Sequence, residues 1–181
     1  DSADTNLASV ITRASETYGV SENFLRTVLV LESGDKERPN HPPNPKARNG
    51  QSVGIAQFQP DAAREVGLIV NHRRDDRLDP EKSIMGLAEY AKNNQSLFRR
   101  TLGRDAEDYQ LYMMHQEGPG GALALFKNPD RKAVDVLSRF HGQSGAIDVI
   151  RKNGGDPSMT AGEFVEVWKK NYEKTAHAFD G

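Results

Sequence analysis

The spacing of apolar residues constrains the fold of this chain more than any other feature. In the first segment they recur at intervals of three and four residues, at Leu7, Val10, Ile11, Ala14 and Tyr18. This spacing places the side chains on one face of a helix, and it returns in most later segments. The one strand candidate, at residues 53–58, is interrupted by a glycine. The pattern predicts an all-α or mostly α fold, with at most a small β element near residues 53–58.

Residues that favour helix ends punctuate the first half of the chain. Gly19 follows the first apolar stripe, and Ser21 is placed to cap a second helix that Gly34 ends. A short helix is expected from Pro60 to Gly67, and Asp79-Pro80 has the residue types that start a longer one. Between these helices, residues 35–52 form a long polar stretch with four prolines. Loops of this length in compact domains tend to be functional or disordered.

Residues that favour helix ends also divide the second half of the chain. Asp105 is expected to open a helix that the run Gly118-Pro119-Gly120-Gly121 breaks, after which a helix restarts at Ala122. Two short helices are expected near residues 131–139 and 144–152. The spacing of Thr160 and Glu163 is that of a capping box, which begins the last helix. At 181 residues the chain has room for one domain or two small ones.

Composition excludes several classes of function. The chain has no cysteine, and its five histidines are scattered without helical metal-ligand spacing, so we expect no metal site. A net charge of −2 argues against bulk attraction to nucleic acid or anionic lipid. No apolar run approaches the length of a membrane span. No phosphate-binding loop or dinucleotide fingerprint occurs, so no cofactor is expected.

Glu32 is the first candidate for chemistry. It follows Leu25, Val28 and Leu29 at spacings of seven, four and three, which places it on their apolar helix face. Burial of a carboxyl group raises its pKa, and a carboxylic acid that stays protonated near neutral pH can act as a general acid. The alternative is a half-exposed acid at a helix end, paired with a base such as Arg26 or Lys36.

Two further segments carry candidate binding residues. In Gly54-Ile55-Ala56-Gln57-Phe58, the glycine permits close backbone approach, and Gln57 offers a donor and an acceptor among apolar neighbours. The alternative is a buried glutamine satisfied by main chain. The second segment, residues 112–121, runs from a helix into a glycine-rich turn. Tyr112, His115 and Gln116 suit a sugar groove, although Tyr112 and His115 equally suit a structural role.

These segments, in this order, resemble the soluble lytic transglycosylase (SLT) domain of the lysozyme-like superfamily, which acts on peptidoglycan. In that family a helix ends in a catalytic Glu followed by Ser, as Glu32-Ser33 does here. The family's Gly-Leu-Met-Gln motif corresponds to Gly54-Ile55-Ala56-Gln57, and its Asp-Pro to Asp79-Pro80. The resemblance extends from Leu7 to about Gly121. It implies a single domain over residues 1–181, with a core at 5–127 and a C-terminal helical extension at 128–181.

One motif departs from the family pattern. Where the family has Ala-Tyr-Asn-Ala-Gly before its glycine-rich turn, this chain has Met114-His115-Gln116-Glu117-Gly118. His115 thus replaces a tyrosine that typically contacts the catalytic Glu. The histidine version resembles the lysozyme-like domains of bacteriophage virion proteins and of secreted bacterial proteins. This subgroup implies a larger virion or envelope assembly as a partner.

The resemblance implies a mechanism with one acid. Glu32 acts as acid and then base on the β-1,4 bond between N-acetylmuramic acid and N-acetylglucosamine, and a 1,6-anhydro ring forms. Ser33, the turn residues Gly54, Ile55, Gln57 and Phe58, and the later Tyr112, His115 and Gln116 are the expected substrate-binding residues. The loop at residues 36–50 is expected to border or cover the cleft. No metal or other cofactor is implied, and the expected location is extracytoplasmic (periplasmic or secreted) or in a phage virion.

Two alternatives remain open from the sequence. The first is a hydrolytic muramidase that uses water as the nucleophile, which commonly requires a second carboxylate. Asp35, Glu37 and Glu117 are the possible second acids. The second alternative is a non-catalytic structural component that binds the cell wall and keeps the fold.

Overall fold

The computed structural model describes the backbone of residues 2–180 and the side chains of residues 7–180. Over that range the chain forms seven α-helices and one antiparallel hairpin. The helices are α1 (Ser2–Tyr18), α2 (Glu22–Ser33), α3 (Pro60–Glu65), α4 (Pro80–Leu102), α5 (Asp108–Lys127), α6 (Ala133–Lys152) and α7 (Ala161–Ala176). The strands are β1 (Arg48–Asn49) and β2 (Ser52–Val53), and short 3-10 helices lie at Asp76–Leu78 and His177–Phe179. The predicted mostly α fold with a small β element is confirmed.

The described residues group into two compact units. The first contains residues up to Asn93 together with those from Thr175 onward, and the second contains Asn94–Lys174. In the first unit α1 packs against α2, and α2 contacts the 3-10 helix at His177–Phe179. Asn23 on α2 donates hydrogen bonds to the Ala176 carbonyl (3.2 Å) and to the Asp180 carboxylate (3.0 Å). These bonds join the C-terminal residues to the first unit.

The helix ends predicted for the first unit are confirmed. Gly19 has a φ of +69°, which ends α1. The Ser21 hydroxyl accepts a hydrogen bond from the Phe24 N–H at 2.9 Å and so caps α2. The Asp79 carboxylate accepts from the Lys82 N–H at 3.1 Å, and Pro80 is the first residue of α4.

The β element begins earlier than the apolar run predicts. β1 pairs with β2 through Arg48–Val53 and Asn49–Ser52, so half of the hairpin comes from the polar stretch. Val53 alone continues, through an isolated bridge to Phe58. The residues between them form a turn, because Gly54 (φ +85°) and Gln57 (φ +51°) both adopt left-handed backbone conformations that a strand excludes.

The second unit corrects one predicted boundary. α5 begins at Asp108 instead of Asp105, because the Gln110 side chain accepts from the Glu107 N–H (2.9 Å) and caps the helix there. Asp105 forms an ion pair with Arg99 instead (2.6 Å). The predicted break in the glycine-rich run is confirmed at Gly118, whose φ is +77° inside α5.

A similar break divides α6. Gly142 has a φ of +72°, which separates the two halves that the sequence predicts as two short helices. The capping box of α7 is also confirmed, since Thr160 and Glu163 exchange backbone-to-side-chain hydrogen bonds of 3.0 and 3.1 Å. Phe98 packs against Phe126 with ring centroids 5.7 Å apart, and α5 packs along α6. These contacts build the core of the second unit.

Candidate active site

Glu32 lies on the last turn of α2, and it is partly buried. Leu25, Val28 and Leu29, which precede it on the same face, are at most 4 % exposed. The helix therefore presents this face to the protein interior, and Glu32 follows at the end of the buried stripe. This placement agrees with the apolar face predicted for Glu32, and part of the residue remains exposed to solvent.

Ser33 joins the end of α2 to the turn at residues 54–57. Its hydroxyl donates to the Ile55 carbonyl at 2.7 Å and lies 3.3 Å from the Leu29 carbonyl. Two of the motifs singled out in the sequence are therefore in direct contact in the first unit. The proton of the Ser33 hydroxyl is engaged within the protein, so its expected part in substrate binding is confined to the hydroxyl oxygen.

The turn itself is held by its own main chain and by Gln57. Gln57 is 9 % exposed, and its side-chain amide nitrogen donates to the carbonyls of Ala47 (3.0 Å) and Gly54 (2.8 Å). The Gln57 donor group is thus satisfied by main chain, which is the structural alternative considered above. This hydrogen bonding stabilises a non-glycine residue with a positive φ and fixes the shape of the turn.

Ile55 and Phe58 lie in the core of the first unit. Each is 1 % exposed, and the Phe58 ring packs edge-to-face against Tyr90 at 5.8 Å. With so little of either residue exposed, the substrate contact expected for Ile55 and Phe58 stays a prediction. Gly54 is buried beside Arg77, where a Cβ would lie 1.9 Å from the Arg77 carbonyl oxygen. No side chain larger than hydrogen fits at this position without displacing backbone.

Arg77 is a residue that sequence reasoning missed. The mixed charges at residues 73–77 indicate a solvated surface, yet Asp76 and Arg77 are 6 % and 5 % exposed. The Arg77 guanidinium donates to both oxygens of Asp75 (2.9 and 2.8 Å) and to the carbonyls of Gln51 (2.7 Å) and Phe58 (2.9 Å). The hydrogen bond from Arg77 holds the pKa of Asp75 below its usual value.

The proline-rich loop (residues 36–50) borders a half-open pocket. Pro39, His41, Pro42 and Pro43 line a space of about 110 Å³ against α1, α2 and Phe179, and Glu32 is not among the residues that line it. Just before this loop the Asp35 carboxylate accepts from Arg38 (2.8 Å), and this hydrogen bond lowers the pKa of Asp35. Glu37 is exposed.

The remaining predicted binding residues lie on α5, in the second unit. Tyr112 is partly buried, with its ring centroid 5.8 Å from that of Trp168 and 5.6 Å from that of Tyr172. His115 is partly buried and Gln116 is exposed, both within one turn of the break at Gly118. Their contact with substrate stays a prediction.

Glu117, the third possible second acid, is buried against α6. Its side chain is 6 % exposed, and one carboxylate oxygen lies 3.4 Å from the Nε2 of His141. Burial raises the pKa of Glu117, and the charge of a protonated His141 partly opposes that rise. Both residues stand beside a helix break, at Gly118 and Gly142. The pair joins the two breaks within the second unit.

Among the described side chains, no group of three or more histidine or carboxylate residues is arranged to hold a metal ion. None of the helices in the described part of the chain is both long and apolar enough to cross a membrane.

The fold is helical, and Ser33 ties the helix end that carries the partly buried Glu32 to the turn at residues 54–57, as the resemblance to the lysozyme-like SLT domain implies. The comparison with protein families agrees. The model of the transglycosylase SLT domain matches residues 9–120, which is more than half of the chain and includes Glu32 and the turn. The chain belongs to the SLT transglycosylase family, whose members are lytic transglycosylases that act on peptidoglycan.

Proposed function

We propose that this chain cleaves the β-1,4 bond between N-acetylmuramic acid and N-acetylglucosamine in peptidoglycan. Family membership supports a peptidoglycan-degrading activity of the transglycosylase type and an extracytoplasmic location. The single observation that carries the choice of residue is the contact of Ser33 with Ile55 (2.7 Å), which puts the glutamate-bearing helix end against the turn. Glu32 is the residue with a carboxyl group at that junction.

In this proposal Glu32 supplies both proton transfers. It first donates a proton to the glycosidic oxygen, which lets the bond break with oxocarbenium-like charge on the muramic sugar. The resulting carboxylate then removes the proton from the C6 hydroxyl of the same sugar as that oxygen attacks C1. The products are a free hydroxyl on N-acetylglucosamine and a 1,6-anhydro-muramic end, and Glu32 returns to its protonated form.

The other predicted residues have supporting parts. The oxygen of Ser33 and the main chain of Gly54, Ile55, Gln57 and Phe58 are proposed to contact the sugar beside Glu32. Tyr112, His115 and Gln116, which lie on α5, are proposed to contact the glycan strand. His115, in place of the family tyrosine, supports the proposal that the domain serves a phage virion or a secreted bacterial assembly.

Exchange of the proposed acid tests the function. Purified cell-wall sacculi are treated with wild type, Glu32→Gln and Glu16→Gln, and the fall in turbidity is followed. Glu16 is an exposed glutamate on α1 with no predicted part in the site, so its exchange controls for a lost surface charge. We expect Glu32→Gln to lose at least about 100-fold in rate, the lower range for loss of a general acid, while Glu16→Gln stays near wild type. Lysis by Glu32→Gln at the wild-type rate contradicts the proposal, and binding of sacculi without lysis by wild type favours the non-catalytic alternative.

A further inference from the structure

The buried cation Arg77 connects both ends of the segment that contains the turn. Its guanidinium donates to the Gln51 carbonyl (2.7 Å) before the turn and to the Phe58 carbonyl (2.9 Å) after it. An arginine has five N–H donors in a fixed planar arrangement, so it can satisfy several acceptors at once in one geometry. The distance between the two ends of the turn is therefore defined by a rigid group.

Asp75 orients that guanidinium. Both of its carboxylate oxygens accept from Arg77, at 2.9 and 2.8 Å, and its side chain is 19 % exposed. Bidentate arginine–carboxylate pairs are stronger and more directional than single hydrogen bonds. The pair also compensates the charge of an arginine side chain that is only 6 % exposed.

The main chain of Arg77 contacts the turn as well. Its carbonyl accepts from the buried Ser83 hydroxyl at 3.0 Å and is thereby fixed to α4. The same carbonyl lies so near Gly54 that a Cβ there would approach it to 1.9 Å. Side chain and main chain of one residue thus confine the turn from two directions.

We propose that Arg77 is a positioning residue for the candidate active site. It holds the turn at residues 54–57 in the geometry at which Ile55 meets Ser33, beside Glu32. This inference rests on the proposed function for its catalytic consequence, although the confinement of the turn can be tested without it. Arg77 acts only through the turn, and no contact with substrate is assigned to it.

The neighbouring Asp76 offers a matched control. It is equally buried and charged, but it accepts from the Ile69 N–H (2.8 Å) and from Arg74 (2.7 Å), with Lys82 at 3.5 Å. None of these hydrogen bonds involves residues 51–58. Asp76→Asn therefore disturbs the same 3-10 helix without releasing the turn. Arg77→Lys keeps a positive charge beside Asp75 but removes the planar donor set.

Amide hydrogen exchange provides the readout that is independent of activity. The relevant amides belong to Gly54, which donates to the Ala47 carbonyl (2.9 Å), and Gln57, which donates to the Gly54 carbonyl (3.1 Å). The measured quantity is the ratio of the exchange rates of these two amides to the rates of the α2 amides. We expect this ratio to rise at least about tenfold in Arg77→Lys and to stay unchanged in Asp76→Asn. An unchanged ratio in Arg77→Lys, or an equal change in both variants, overturns the positioning role.

Kinetics on sacculi then test the consequence for catalysis. A displacement of about 1 Å at a site can reduce the rate about 100-fold. At a temperature where both variants are folded, we expect a fall of about 10- to 100-fold in kcat/KM for Arg77→Lys and a value near wild type for Asp76→Asn. Faster exchange with wild-type kinetics overturns the link between turn and catalysis. Inactivity of the wild type instead refutes the proposed function, while the exchange result still decides whether Arg77 confines the turn.

Discussion

Replacement of Gly54 by alanine tests the packing of the turn with a control only four residues away. Gly54 and Gly50 both have positive φ values, +85° and +61°, so a side chain at either position strains the backbone. The two sites differ in the room that is available for a side chain. A Cβ at Gly54 would lie 1.9 Å from the Arg77 carbonyl oxygen and 2.9 Å from its carbon, whereas a Cβ at Gly50 has no atom within 4 Å.

The expected losses in the free energy of unfolding follow from backbone strain and from steric overlap. A left-handed conformation costs an L-residue about 1–2 kcal/mol, which applies to both variants. Overpacking adds about 1–3 kcal/mol, which applies to Gly54→Ala alone because the clashing atoms are backbone. For a chain of this size each kcal/mol lowers Tm by about 2–4 °C. Gly54→Ala should therefore lower Tm by about 4–20 °C, and Gly50→Ala by about 2–8 °C.

Thermal and urea unfolding followed by circular dichroism measure both variants. The diagnostic quantity is the difference between them, an additional loss of about 1–3 kcal/mol in the free energy of unfolding for Gly54→Ala. Equal losses of the free energy of unfolding in the two variants would refute the reasoning. They would mean that the Arg77 backbone moves away from the new Cβ at no energetic cost.

Two further substitutions probe the hydrogen bonds and charges described above. Ser33→Ala removes the hydroxyl that donates to Ile55 and should lower the free energy of unfolding, measured by urea titration, by about 1 kcal/mol. The control is Ser138→Ala, which removes a hydroxyl that bonds within its own helix and should change the free energy of unfolding little. Equal effects of the two substitutions would contradict the role of Ser33 in joining α2 to the turn. Burial raises the pKa of Glu117 in the folded state, so wild type loses stability as pH rises from the ordinary carboxyl pKa through the raised one. Glu117→Gln lacks this dependence, and its Tm relative to wild type should increase as pH rises above the ordinary glutamate pKa of about 4.3; a Tm difference that is constant with pH contradicts the assignment.

The sequence predicts the helices of this chain well because their signals are local. Ser21, Gly19 and the Thr160–Glu163 capping box act on hydrogen bonds within one turn, so their residue types suffice to place the helix ends. The helix start predicted at Asp105 is wrong because Glu107, two residues later, has a capping partner in Gln110. Choices between adjacent caps depend on packing, which composition does not reveal.

The candidate site shows where local signals end. Motif order identifies Glu32 and the turn, and apolar spacing assigns the correct face of α2. The burial of Arg77 could not be predicted, because alternating charges have the same composition whether they are solvated or paired with distant carbonyls. The one hint in the sequence is the glycine at position 54, because glycine permits close backbone approach. The structure shows that the approaching backbone is the Arg77 carbonyl, which the sequence does not identify.

Analysis of the reaction products tests the central claim most directly. Sacculi are digested in water labelled with heavy oxygen, and the released muropeptides are analysed by mass spectrometry. If Glu32 acts alone as acid and base, the muramic ends are 1,6-anhydro sugars without label, and Glu32→Gln releases none. Reducing ends that carry the heavy oxygen would contradict this account and identify the chain as a muramidase that uses water.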